Sequence, residues 1–188
     1  MADLITVNQP QIDALTARFR AIGDEGPAAV VRAVNRANLA VLTQFVHRVE
    51  AATGIENKRV RKSMRARPST LADFQASVSL YGGRSALTNY SPRIVSELMP
   101  PDSFPAKMPG SGHVGIFQRA PGARHRRKGE PFAPHALPIR EVMGPPFTEF
   151  IGAGAVRELV AFAEVRLRKE MENEVNFRML KQATAPAK

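Results

Sequence analysis

Eleven of the chain's 15 prolines fall between Pro92 and Pro146, and this clustering restricts the fold more than any other property. Proline fixes φ and removes a backbone donor, so this third of the chain cannot form a continuous central sheet. Helical periodicity dominates on either side. The expected architecture is therefore α+β: N-terminal helices, a small, mainly antiparallel sheet with long proline-rich loops, and a long C-terminal helix.

Asn8-Gln9-Pro10 can open a first helix, along which Ile12, Leu15, Phe19 and Ile22 recur at helical spacing. Gly23 to Gly26 interrupts it. A second, longer helix is predicted from Pro27 to Ala52, with Val31, Val34, Val41, Phe45 and Val49 on one apolar stripe widened by Leu39, Leu42 and Val46. Arg32, Arg36 and His47 take its polar side, and Thr53-Gly54 is a stop signal. A short helix should follow, with Ile55, Val60 and Met64 inward. Phe74, Ala76, Val78 and Leu80 then alternate with polar residues as a half-buried strand, and Ala86 to Tyr90 is expected to pair back on it. The pattern breaks down over Pro92 to Lys107.

Two short strands stand out beyond that point, Val114–Arg119 and Leu137–Val142, separated by a loop from Ala120 to Ala136 that exceeds usual connection lengths. The last helix is predicted from near Thr148, with Val156, Val160, Ala163, Leu167, Met171, Val175 and Met179 on its buried face. Glu164–Arg168 and Glu174–Arg178 read as exposed i,i+4 pairs. We expect one domain over residues 1–182, loop-rich over 91–136, and a flexible tail over 183–188.

With 188 residues and an ordinary apolar fraction, the chain can bury a real core. No apolar run reaches the roughly 18 residues of a membrane helix, and no signal peptide is evident, so folding in a reducing cytoplasm is expected without a membrane partner. The absence of cysteine removes disulfides, thiol nucleophiles and thiolate metal sites. The net charge of +10 points to a polyanionic partner, nucleic acid first and an acidic protein surface second.

Two basic clusters carry that charge. Lys58, Arg59, Arg61, Lys62, Arg65 and Arg67 run without an intervening acid, as a phosphate-binding face, a solvated one, or one that docks on acidic neighbouring subunits. No recognition helix follows, so sequence-specific DNA reading is not expected. Arg124, Arg126, Arg127 and Lys128 lie with His125 in the long loop, where charge can reach a phosphate backbone without fixed docking or contact a neighbouring subunit, the alternative being a mobile solvated loop. No interleaved aromatic suggests a stacking platform. His113, His125 and His135 share this region but lack ligand spacing or a companion acid pair, so no metal and no cofactor is expected. No P-loop, nucleophile elbow or zinc-protease motif is present, so no enzyme activity is expected. A hydrolase built on the three histidines stands as a formal alternative.

Gly112-His113 before a strand that ends Phe117-Gln118-Arg119, a basic loop, then Leu137-Pro138-Ile139-Arg140-Glu141 closing on Gly144-Pro145 resembles the signature of the minor tail protein Z family of tailed bacteriophages. Ala33 to Arg36 with its Asn-Arg, the Thr53-Gly54-Ile55 turn running into Lys58–Lys62, and Ser103 to Met108 resemble further blocks of that family, in order, over residues 27–150. Gly82 to Pro101 departs from its pattern.

The resemblance implies a noncatalytic virion protein that completes the head-proximal end of the tail and helps join head to tail. It further implies copies of itself in a ring around the DNA channel, a hexamer matching the six-fold tail. Other tail-tube and neck proteins, and weak contact with packaged DNA, would be its partners, with assembly in the host cytoplasm. A freestanding nonspecific nucleic-acid-binding module is the competing expectation.

Overall fold

The computed structural model describes residues 23, 25–108, 110–119 and 139–184. Helix α1 (Gly26–Thr53) carries Pro27 in its first turn, where the missing donor costs nothing. It ends at Gly54, whose φ of 75° is left-handed and whose N–H reaches the Glu50 carbonyl at 2.7 Å. A Cβ there would also lie 2.9 Å from Ser91 Cβ, so close approach and backbone conformation both demand glycine. Buried Thr53 donates to the Val49 carbonyl at 2.6 Å and accepts from the Ile55 N–H at 3.2 Å, turning the chain into α2 (Asn57–Lys62).

Strands β1 (Met64–Arg67) and β2 (Ser77–Leu80) form an antiparallel ribbon in which Met64 faces Leu80 and Arg67 faces Ser77. Helix α3 (Pro92–Leu98) leads to the second sheet, ordered β3 (Ser103–Lys107), β4 (Val114–Arg119), β5 (Ile139–Glu141), all antiparallel. Pro105 lies in edge strand β3, as its missing donor requires. Helix α4 (Ala153–Ala183) closes the chain.

The two long helices pack antiparallel. At one end Ala29, Ala33 and Ala37 of α1 form a small-residue stripe, beside Val30 and Val34, that admits Leu167 and Met171 of α4. Burying each of those two side chains contributes about 1.5–3 kcal/mol. Midway, Val41 and Leu42 meet Val78 of β2 and Ala163 of α4. At the other end Phe45, Val46 and Val49 join Val60, Leu87, Tyr90, Ile94, Ile116, Phe147 and Leu159 in the main core. The α+β architecture matches the sequence reading.

Several details differ from it. The basic run after Gly54 is split, because Met64–Arg67 pairs with β2 instead of extending the helix. Phe74 is exposed and the strand starts only at Ser77. Ala86 does not pair back on β2: it bridges Met143, and Leu87–Asn89 forms a 3-10 turn. Within the proline-rich stretch, Pro92 serves as a helix-opening residue and Pro105 as an edge residue, so a helix and a strand form there. A 3-10 turn over Phe147–Phe150 delays α4 to Ala153. Leu39 and Met179 are exposed, and Val30 replaces Val31 in the buried stripe. Glu174 is not on an exposed face; its side chain is 3% accessible. The expected helix around Ile12–Ile22, Leu137 and Pro138 of the expected second strand, and most of the tail lie outside the described residues.

Candidate functional site

The two halves of the opening strand motif meet across β4 and β5. Phe117 lies opposite Glu141, and Arg119 opposite Ile139. His113 Nε2 sits 2.7 Å from Glu141 Oε1, and its ring stands edge-on to Phe117 at 6.3 Å between centroids. Gly112 has a φ of 67°, which lets the chain turn into β4. Gly115 leaves room for that pair, since a Cβ would lie 2.7 Å from Glu141 Oε1 and 2.9 Å from the Phe117 ring. The Arg119 guanidinium stands over Phe104 of β3 at 5.9 Å, a cation–π geometry. Arg140, on the outer strand, is exposed.

Gly144 and Pro145 end the motif on Tyr90. A Cβ at Gly144 would lie 2.3 Å from the Tyr90 ring, and the Tyr90 hydroxyl donates to the Pro145 carbonyl at 2.6 Å. Burial raises the Tyr90 pKa above its ordinary value; the Glu149 charge adds to this, while a backbone hydrogen bond at Ser85 and the Arg84 charge oppose it. The glycine and proline of the motif thus form a seat for one buried tyrosine.

The first basic cluster is exposed throughout and divides between α2 and β1. Arg59 lies 3.9 Å from Glu56 and Arg67 lies 3.0 Å from Asp73, while Arg61 donates to Thr43 Oγ1 at 3.4 Å. Lys58, Lys62 and Arg65 make no ion pair among the described residues. Between them Val60 is fully buried and anchors the cluster to the core. Arg124, Arg126, Arg127 and Lys128, with His125 and His135, lie outside the described residues.

Among the described residues no group of His, Asp and Glu could hold a metal ion, and no helix is long and apolar enough to cross a membrane. His113, the described member of the three loop-region histidines, has a carboxylate partner in Glu141.

Sequence reasoning missed a second set of polar residues. Arg32 Nε is 3.3 Å from Glu174, and Arg36 is 2.7 Å from Glu174 and 3.9 Å from Glu170. Arg166 joins Glu170 at 2.7 Å, Arg48 pairs with Glu158, and Arg178 with Glu25. The signal was present: Arg32 and Arg36 share the i,i+4 spacing of Glu170 and Glu174. Asn35, next to Arg36, accepts from the Ser69 N–H at 2.8 Å and donates to the Ser69 carbonyl at 3.1 Å. Asn38 donates to the Arg67 and Ser77 carbonyls at 3.1 and 3.4 Å, tying both strands of the ribbon to α1.

Comparison with protein-family models, curated proteins and solved structures found no match to the chain.

Proposed function

We propose that this chain is a noncatalytic structural protein of a phage tail or neck, completing the head-proximal end of the tail and helping join it to the head. One observation carries the reading: motif residues far apart in sequence occupy one contiguous unit, with His113 on Glu141 and Gly144-Pro145 on Tyr90. Those residues are spent on backbone geometry and packing, which suits a family signature of architecture rather than of chemistry. The chain acts as copies in a ring, a hexamer in a six-fold tail, beside other tail-tube and neck proteins. Weak, nonspecific contact with packaged DNA fits its positive charge, since tight gripping would hinder ejection. The test is a reconstruction of the assembled particle. It should place this chain in a ring at the tail's head-proximal end; its absence from every tail and neck ring overturns the proposal.

A freestanding nucleic-acid-binding module is the second reading, favoured by the exposed cations Lys58, Lys62 and Arg65. Normal particle assembly by a variant that has lost DNA affinity would favour it over the first.

A further inference from the structure

Strand β1 presents alternate residues to opposite faces. Met64 and Ala66 pack inward against the core, which turns Arg65 and Arg67 outward. The register places Ser79 opposite Arg65 and Ser77 opposite Arg67, and directly opposed residues share a face. Val78, between the serines, is buried against α1 and α4. The outer face of the ribbon is therefore two guanidinium groups matched with two hydroxyls, and α2, just before β1, exposes Lys58, Arg59, Arg61 and Lys62, with Arg61 reaching Thr43 of α1. Glu56 and Asp73 are the carboxylates paired with this cluster, at its two ends.

We infer that the outer face of the β1–β2 ribbon, together with the cations of α2, docks on the phosphate backbone of duplex DNA. The inference deepens the DNA contact of the proposed function and rests on it for the choice of occupant. Charge complementarity is the first argument: six cations meet two carboxylates here. Composition is the second. Arginine, lysine and serine donors are the groups that hold phosphate oxygens, and they fix position without reading bases. An acidic protein surface is the competing occupant, since arginine and tyrosine also anchor protein interfaces, and competition by polyglutamate separates the two. The strand positions facing outward carry Arg65, Arg67, Ser77 and Ser79, and exposed Tyr81 follows at the ribbon's end, its N–H on the Ser63 carbonyl at 2.8 Å. Asn38, clamped to both strands, holds the ribbon rigid beneath this face.

The experiment measures binding of the purified full chain to a short labelled duplex of arbitrary sequence across a salt series. Lys62→Ala with Arg65→Ala removes two cations that make no ion pair among the described residues. The slope of log K against log salt should become shallower by about 1.8, at about 0.9 per lost phosphate contact. Ser79→Asp, opposite Arg65 on the outer face and outside the helix, should weaken binding as well. Arg157→Ala with Lys169→Ala, exposed on α4, should leave the slope unchanged. Thermal melting confirms that each variant is folded. An unchanged slope in the first variant, an equal loss in the α4 control, or displacement of the duplex by polyglutamate at equal charge overturns the inference. Because the isolated chain is measured, failure here condemns the face, whereas absence from the particle condemns the tail reading.

Discussion

Arg36 of α1 donates to Glu174 of α4 at 2.7 Å, and the carboxylate that it reaches is buried while the guanidinium is half-exposed. Arg32 approaches the other oxygen of the same carboxylate at 3.3 Å. One acid thus fixes the register of two long helices, in the middle of an otherwise alanine-rich seam. Removing Glu174 strands Arg32 and leaves Arg36 only its longer, 3.9 Å approach to Glu170; removing either arginine leaves the other to satisfy the carboxylate.

Glu174→Ala should therefore destabilise the fold by about 2 kcal/mol, the cost of losing charge-assisted hydrogen bonds and leaving partners beside a cavity. Arg32→Ala should cost less than Glu174→Ala. Urea unfolding midpoints check the ordering, and equal losses for the two variants would contradict it.

Gly144→Ala should cost about 1–3 kcal/mol, because the new methyl would overlap the Tyr90 ring and neither the buried ring nor the strand end can move freely. In a Tyr90→Ala background the same substitution should cost much less. A double-mutant cycle by chemical unfolding reads this coupling; strict additivity would show that the contact is not what excludes a side chain.

Asn35→Ala should remove both hydrogen bonds to Ser69 and cost about 1–3 kcal/mol, since a partly buried amide N–H and carbonyl lose their partner. The specific signature is faster amide hydrogen exchange at Ser69 than at β4, whose hydrogen bonds are untouched.

Alkaline pH should unfold the protein partly through Tyr90. Its pKa in the folded state stands above the ordinary 10.0, so the unfolded chain gives up this proton first as pH rises. The contribution is complete below about pH 10 and is lost as pH climbs toward the folded-state pKa. Stability measured from about pH 8 to 11 should fall more steeply for the wild type than for Tyr90→Phe. Parallel curves would remove Tyr90 from the account.

The legible parts of the fold were those with local causes. Pro27 and Gly54 mark α1, and the Val114–Arg119 strand needed only its short run of β-branched and aromatic residues and the glycines at its entry. What sequence could not supply was tertiary choice. Met64 to Arg67 has helix-compatible residues but becomes a strand because Ser77–Leu80 lies alongside to pair with it. Glu174 and Arg178 have the spacing of a surface pair, yet each finds its partner on α1 or just before it. Tyr90 drew no notice because its role depends on Gly144 and Pro145, more than 50 residues away.

The candidate surfaces divide along the same line. The motif residues His113 and Glu141 could be quoted from sequence, but their 2.7 Å contact required the β4–β5 register. The basic run was visible as composition; its division into a helix and the outer face of a ribbon was not.

The measurement closest to the central claim is an electron-microscopy reconstruction of the assembled particle, compared with particles made without this chain. The account predicts density for a ring of this chain at the head-proximal end of the tail, and tails that fail to join heads in its absence. Complete, joined particles lacking the chain from every ring would contradict it.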